Sequence, residues 1–292
     1  MKKALIIAGA GQFGRSAAGL LNHSTYELLA LADNSEALRG TVFRHPLHGA
    51  LPILSMEEAV AMRPDTILTG IIDDGRTKEL RSQLLSLGFY GEILTLKSLY
   101  ETIDVRSATL LRLAQRAEEQ KIPGEIAELG VYKGDLAWKL NALFPERELY
   151  LFDTFTGFDD RDITQEKELQ TSRAAEGDFS GTSTEAVRSR LPFPEKAHFE
   201  KGYFPETAEG LSDVTYAFVS LDADLYAPIL AGLEYFCPRL AKGGMILLHD
   251  YGNTRFRGAK KAVEDYEALH GPLPLLPLCD LHGSAVILNP EA

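Results

Sequence analysis

Cysteine is scarce in this sequence: there are two, Cys237 and Cys279, and a single tryptophan, Trp138. Two isolated thiols exclude a disulfide framework and a thiolate zinc site, which need more cysteines or closer spacing. Both are expected to be buried or inert, and Trp138 is expected in the core. Basic residues are also short, 30 Lys and Arg against 42 Asp and Glu, for a net charge of -12. That balance argues against a nucleic-acid partner, because phosphate contacts need clustered Lys and Arg. Long apolar runs are missing too. Leu5 to Ala8 and Met245 to Leu248 are strand-sized, far below the roughly 20 residues that cross a bilayer. The opening Met-Lys-Lys-Ala-Leu-Ile-Ile runs into Gly-Ala-Gly-Gln-Phe-Gly, a strand and turn rather than a signal peptide. A cytoplasmic location without a membrane partner is expected.

What is present is strand–helix alternation, in two series. With 292 residues the chain suits two modest domains. In residues 1–97, strands are expected at Lys3 to Ala8, Tyr26 to Ala32, Thr66 to Ile72 and Glu92 to Leu96, with helices near Phe13 to Asn22 and Arg76 to Leu87. Pro46 to Pro52 reads as loop. Residues 98–122 carry Ile103, Leu110, Leu113, Ala114 and Ala117 at near-helical spacing and read as one connecting helix, stopped by Pro123-Gly124. Residues 123–292 form the second series. Its strands are Glu125 to Val131, Glu148 to Phe152, Ala197 to Glu200, Tyr216 to Leu221 and Gly244 to Leu248, and its helices lie near Asp135 to Leu143, Pro228 to Leu240 and Gly258 to Leu269. Leu273 to Leu278 and Ala285 to Leu288 suggest a closing antiparallel hairpin. The polar stretch Asp159 to Arg190 reads as an irregular active-site loop. The expected class is α/β, with two doubly wound Rossmann-like domains built on parallel sheets.

Gly9-Ala10-Gly11-Gln12-Phe13-Gly14 follows a strand and opens a helix, and Asp33 ends the second strand. Glycines at Gly9, Gly11 and Gly14 let a phosphate approach a helix N-terminus, and an acid at Asp33 suits ribose hydroxyls. Only 97 residues are available, too few for a full dinucleotide domain. The segment resembles the small Rossmann-like N-terminal domains of sugar-modifying acyltransferases. A nucleotide-binding role and a structural role both remain open.

A second glycine turn, Glu128-Leu129-Gly130-Val131-Tyr132-Lys133-Gly134, lacks the dinucleotide pattern, and Asp153 ends the following strand. An acid before the glycine suits a ligand with an amino-acid head group: Glu128 can accept from an ammonium. In order along the chain follow Phe152-Asp153-Thr154-Phe155-Thr156-Gly157-Phe158, Gly177-Asp178-Phe179-Ser180-Gly181-Thr182-Ser183, Lys201-Gly202-Tyr203-Phe204-Pro205-Glu206-Thr207, Leu221-Asp222-Ala223-Asp224-Leu225-Tyr226 and Gly243 to Tyr251. Together these resemble the macrocin O-methyltransferase type of class I methyltransferase. The resemblance does not reach residues 1–97. It implies a class I methyltransferase fold, S-adenosylmethionine as cofactor, and a small hydroxylated acceptor such as a sugar. It further implies that Glu128, Gly130 and Lys133 surround the methionine part, that Asp153 with Thr154 serves the ribose, and that Asp178, Phe179 and Ser183 cover the adenine.

Asp222 and the His249-Asp250 pair end two further strands, so they should converge on one crevice. Asp222 and Asp250 are oxygen donors suited to Mg²⁺, and related metal-dependent enzymes carry acids there. His249 departs from that pattern. It offers an alternative, a general base of near-neutral pKa oriented by a carboxylate. Asp224 reads as the cap of the helix near Tyr226, while Tyr251 and Asn253 border the site. The expected activity is O-methylation by Asp222, His249 and Asp250, with homo-oligomerisation open. The rival readings are an NAD(P)-dependent oxidoreductase using Gly9 to Gly14 and a non-catalytic nucleotide sensor.

Overall fold

The computed structural model describes residues 2–289, which fall into two compact units divided between Asp104 and Val105. The first unit contains β1 (Lys3–Ala8), α1 (Gln12–Leu20), β2 (Tyr26–Ala32), β3 (Val42–His45), β4 (Gly49–Leu54), α2 (Met56–Ala61), β5 (Thr66–Thr69), α3 (Asp74–Ser86), β6 (Glu92–Thr95) and α4 (Leu96–Thr102). Its sheet runs β3-β4-β2-β1-β5-β6. The pairs among β4, β2, β1, β5 and β6 are parallel, and β3 is antiparallel to β4. Ile6, Ala30, Met56, Ile67, Leu80, Leu84 and Phe89 form its core.

Two expectations fail in this part of the chain. Pro46 to Pro52 is only partly loop: Pro46 to His48 make the turn of the β3–β4 hairpin, and Gly49, at φ +76°, begins β4. The single connecting helix is two helices, because the backbone extends at Ile103 (φ -126°, ψ 110°).

The second helix, α5 (Val105–Glu119), opens the second unit. It buries Leu110, Ala114 and Ala117 beside Ile126, Phe218 and Met245. After it come β7 (Glu125–Leu129), α6 (Ala137–Leu143), β8 (Leu149–Asp153), α7 (Asp160–Leu169), α8 (Thr184–Arg188), β9 (Ala197–Lys201), β10 (Tyr216–Leu221), α9 (Tyr226–Phe236), β11 (Leu240–Leu248), α10 (Gly258–His270), β12 (Leu275–Pro277) and β13 (Ala285–Leu288). The sheet order is β12-β13-β11-β10-β7-β8-β9. Pairs from β11 to β9 are parallel, and β13 closes the sheet antiparallel to β11.

Side chains alternate between the two faces of this sheet. Leu149 and Leu151 point into one core with Phe144, while Phe152 points into the other with Ile229, Leu233 and Phe236. Helices cover both faces, so the central strands read as continuous apolar runs. The stretch Asp159 to Arg190 is irregular only between two helices, α7 and α8. Asp159 and Ser183 cap these helices by accepting from Arg161 N and Ala186 N. Trp138 is 39% exposed on α6, outside the core. Among the described residues no helix is long and apolar enough to cross a membrane.

Candidate active site

Parallel strands direct their carboxyl ends to one edge, and every site residue foreseen in the second unit lies there or in the loops above it. Glu128 on β7 stands beside Ser220 on β10, and Leu129 beside Leu221. The turn after β7 needs glycine. Gly130 has φ +89°, and a Cβ there would lie 2.1 Å from the Asp222 carbonyl oxygen. Asp222 N donates to Leu129 O at 2.8 Å. The glycine turn and the first acid of the expected cluster are therefore in backbone contact.

Asp153 anchors the same turn. Its Oδ2 accepts from Val131 N at 2.7 Å and Tyr132 N at 2.8 Å, and its Oδ1 from Phe155 N at 2.6 Å. Each carboxylate oxygen has two lone pairs, so capacity remains for a ligand hydroxyl. Thr154 donates to Gly157 O at 2.6 Å and shapes the next loop. Lys133 is exposed, its ammonium 5.1 Å from the centre of the Tyr132 ring.

The loop at 175–183 folds over this turn. Thr182 Oγ1 donates to Tyr132 O, and Asp178 O accepts from Phe158 N at 3.3 Å. The Phe179 ring lies 5.3 Å from Tyr132 and 5.0 Å from Phe158, which builds an aromatic wall. Asp178 holds Ala175 N at 3.2 Å, and Ser183 caps α8.

Glu128 is buried, and its Oε2 has no hydrogen-bond partner. Burial first, and then the charge of Asp222, push its carboxyl well above the usual range, against the opposing pull of Arg106. Arg106 was not legible as a site residue. It stands at the start of α5 and donates from Nη1 to Asp222 Oδ2 at 2.8 Å, while Nη2 reaches Ser220 Oγ at 3.4 Å.

The third constellation does assemble. His249 Nδ1 lies 2.8 Å from Asp222 Oδ1 and 3.3 Å from Asp250 Oδ1. Burial opposes the charged form of Asp222, yet Arg106 and His249 hold that carboxyl well below its ordinary value. For His249 burial acts to lower the pKa, but the Asp222 carboxylate wins and raises it to about 10. A base of near-neutral pKa is thus not what this pairing produces.

Besides Arg106, two participants were missed. Asp224 does not cap α9: the cap position is Leu225, and Glu166 Oε1 accepts from Tyr226 N at 2.7 Å instead. Asp224 is grouped with Asp222 and Asp250, their oxygens within 4.8 Å of one another. Burial, the Asp222 charge and a hydrogen bond with Asp250 push it well above the usual carboxylate range. His282, from a turn that reads only as the hairpin connection, brings Nδ1 to 3.8 Å from Asp250 Oδ1. Asn253 donates to that oxygen at 2.6 Å. Backbone conformation is the signal sequence reading could not see. Tyr132, Phe155, Phe179, Asp224 and Asp250 all have φ between 48° and 59°, and left-handed non-glycine residues gather at functional sites.

In the first unit, Asp33 Oδ2 accepts from Ala10 N at 2.7 Å and Oδ1 from Ser35 N at 2.8 Å. A Cβ at Gly14 would lie 1.8 Å from Gly9 O, whereas Gly11 has open space around it. Gly9, at φ +106°, and Gly14 are therefore required for packing of the turn against α1, whatever it binds.

Comparison with known proteins settles the family. The macrocin-O-methyltransferase (TylF) model matches residues 102–284, more than half of the chain. The chain belongs to the TylF family. A relative from Streptomyces olivaceus, "8-demethyl-8-(2,3-dimethoxy-alpha-L-rhamnosyl)-tetracenomycin-C 4'-O-methyltransferase", is 25% identical over 179 residues, 56% of this chain and 65% of that protein. The demethyldecarbamoylnovobiocin O-methyltransferase of Streptomyces niveus is 24% identical over 159 residues, 50% of this chain and 59% of that protein. The chain thus spans about three-fifths of the length of these curated relatives. Two solved structures share the fold. The O-methyltransferase NovP is 20% identical with TM-score 0.52, covering 64% of this chain and 80% of that one. The calicheamicin methyltransferase CalS11 is 20% identical with TM-score 0.52, covering 88% and 98%. The family match begins at residue 102 and leaves Gly9 to Gly14 outside it.

Proposed function

We propose that this TylF-family chain transfers the methyl group of S-adenosylmethionine to a hydroxyl of a small acceptor, a sugar or a sugar-bearing natural product. The observation that carries this is the contact between the Gly130 turn and Asp222, which joins a donor-binding turn to an acid cluster. The family and its two curated relatives, whose names describe O-methylation, support the acceptor class.

The residues fit the cofactor. Glu128 offers an orphaned buried carboxyl oxygen to the methionine ammonium. The glycine at 130 keeps the cradle free of a Cβ. Asp153 Oδ1 has one lone pair left for a ribose hydroxyl, and the Tyr132 and Phe179 rings, 5.3 Å apart, offer an aromatic wall for the adenine. Bound S-adenosylmethionine supplies an electrophilic methyl on its sulfonium. The chain's task is to hold the acceptor in line and remove its proton, and positioning alone supplies a large share of the rate. We assign the proton to Asp224. Both oxygens of Asp222 are engaged by Arg106 and His249 and Asp250 Oδ1 by Asn253, whereas Asp224, hydrogen-bonded to Asp250, has its proton affinity raised by burial and by the Asp222 charge. Asp222, Asp250 and His249 fix the cluster around it.

Mg²⁺ does not fit this arrangement. It demands near-octahedral oxygen ligation, while here Asp222 is fully engaged and a histidine nitrogen faces the cluster. No step is assigned to it.

Calorimetry with S-adenosylhomocysteine tests the reading, with NAD and a nucleotide sugar as comparison ligands. Micromolar binding of S-adenosylhomocysteine alone is expected, weakened at least tenfold in Asp153→Asn. Asparagine has one acceptor oxygen where the carboxylate serves Val131 N and Tyr132 N on Oδ2 and Phe155 N on Oδ1, so a thermal melt showing that the variant is folded accompanies the titration. Binding of NAD in its place would refute a methyl-donor site.

A further inference from the structure

Two buried groups of opposite charge stand beside the donor turn, each with a bonding position left open. Glu128, on β7, keeps Oε2 buried without a hydrogen-bond partner, and Arg106, at the start of α5, keeps Nε in the same condition. A guanidinium has five N–H donors. Here Nη1 serves Asp222 Oδ2 at 2.8 Å and Nη2 serves Ser220 Oγ at 3.4 Å, which leaves the Nε edge unused.

The two groups are neighbours. Glu128 and Ser220 are register partners on β7 and β10, and such partners project from the same face of the sheet. Arg106 reaches Ser220, and each of the two charges acts on the other. Among the described residues no hydrogen bond or ion pair joins them. Asp222 and Ser220 hold the guanidinium, and β7 holds the acid. Leaving a buried donor or acceptor unmet is costly, so each such orphan asks for a partner. An open acid beside an open guanidinium is complementary to a zwitterion, an ammonium and a carboxylate carried on one carbon. Lys133, the other cation of the turn, is exposed and lies against the Tyr132 ring.

We propose that Arg106 is a cofactor-binding residue whose Nε–H receives the carboxylate of the methionine part while Glu128 receives the ammonium, so that the chain selects an amino-acid head group against decarboxylated adenosyl compounds. This rests on the methyl-donor reading and adds the residue that reads the second half of the head group. Because Nη1 stays on Asp222, one guanidinium ties the donor to the acid at the end of β10.

Calorimetry on the full chain compares S-adenosylhomocysteine with its decarboxylated form, which keeps the ammonium, and its deaminated form, which keeps the carboxylate. A hydrogen bond to a charged group is worth roughly tenfold or more in affinity. The wild-type chain should bind the decarboxylated form at least tenfold more weakly than S-adenosylhomocysteine. Arg106→Lys keeps a charge beside Asp222 and removes the Nε–H. In that variant, shown to be folded by a thermal melt, S-adenosylhomocysteine and the deaminated form should each weaken at least tenfold. The decarboxylated form should change less than threefold, so the discrimination disappears. Lys133→Ala should retain it. Should Arg106→Lys fail to fold, nuclear magnetic resonance on the wild-type chain, isotope-labelled at its arginine nitrogens, decides instead. S-adenosylhomocysteine should move one slowly exchanging Nε–H resonance downfield, and the decarboxylated form should leave it in place. Equal wild-type affinity for those two ligands, equal losses for all three in Arg106→Lys, discrimination lost in Lys133→Ala instead, or no displaced Nε–H resonance overturns the proposal and leaves the methyl-donor reading intact. Absence of S-adenosylhomocysteine binding by the wild-type chain overturns that reading, and this inference with it.

Discussion

Arg106 and Asp222, 116 residues apart, share a hydrogen bond of 2.8 Å in which the guanidinium meets a carboxylate at the end of β10. Both side chains are about four-fifths buried, 17% and 21% exposed. Removing one partner of such a pair leaves an uncompensated charge, which costs about 3–5 kcal/mol. Arg106→Ala should lower stability by about 3 kcal/mol in urea unfolding, and Arg106→Lys by less. A loss below about 1 kcal/mol in the alanine variant would show that water screens the pair.

Glycine positions offer a controlled contrast. Gly130 and Gly177 have nearly the same φ, +89° and +85°, but only Gly130 has backbone in the way of a Cβ. Gly177→Ala should cost only the left-handed strain, about 1 kcal/mol. Gly130→Ala should cost at least 3 kcal/mol or prevent folding, because the Asp222 carbonyl at 2.1 Å cannot yield without shifting β10. Equal denaturation midpoints for the two variants would refute the close approach.

Residue type carried the donor half of the site in the sequence. Gly130 and Asp153 are recognisable because glycine and a strand-end acid are what that turn needs, and their spacing follows from one strand–helix–strand unit. The central strands were legible because both faces are buried. Arg106 was not, since it sits in the first turn of an amphipathic helix and its partner is brought close only by β10. His282 lies in a turn whose composition says nothing beyond turn. The helix α7 was hidden by its polarity: Asp162 and Glu166 are buried yet read as solvent-facing. Glu166 explains itself only in three dimensions, bonded to Thr171 Oγ1 at 2.7 Å and to Tyr226 N.

Asp162 gives a pH-dependent prediction. Burial raises its pKa from 3.8 to about 6, although the Tyr203 hydroxyl, donating at 2.8 Å, works to lower it. The folded state therefore binds more protons than the unfolded one between those values. Stability falls as pH rises across that window. Asp162→Asn keeps the acceptor for Tyr203 and removes the charge. It should stabilise the protein by about 2 kcal/mol at pH 7 and change little at pH 3.5. Thermal melts at the two pH values check the difference, and an equal effect at both would rule out the carboxylate as its source.

The boundary between the units predicts where the chain can be cut. All foreseen donor residues follow Gly124, which alone would suggest a fragment starting there. Yet α5 buries Leu110, Ala114 and Ala117 against strands of the second unit and carries Arg106 to Asp222. Each apolar side chain stripped of its cover loses roughly 1.5–3 kcal/mol if it is fully buried and of leucine size, and less for alanine. Marginal domain stability of about 5–15 kcal/mol does not absorb that together with an Asp222 stripped of Arg106. A fragment of residues 105–292 should fold cooperatively and bind S-adenosylhomocysteine within about threefold of the full chain. A fragment of residues 124–292 should aggregate or melt without a transition, even though it retains Glu128, Gly130 and Asp153. Circular dichroism melts and calorimetry on both fragments decide the matter. Should the longer fragment fold and fail to bind, the first unit is part of the donor site; should the shorter one fold and bind, α5 is dispensable to the unit.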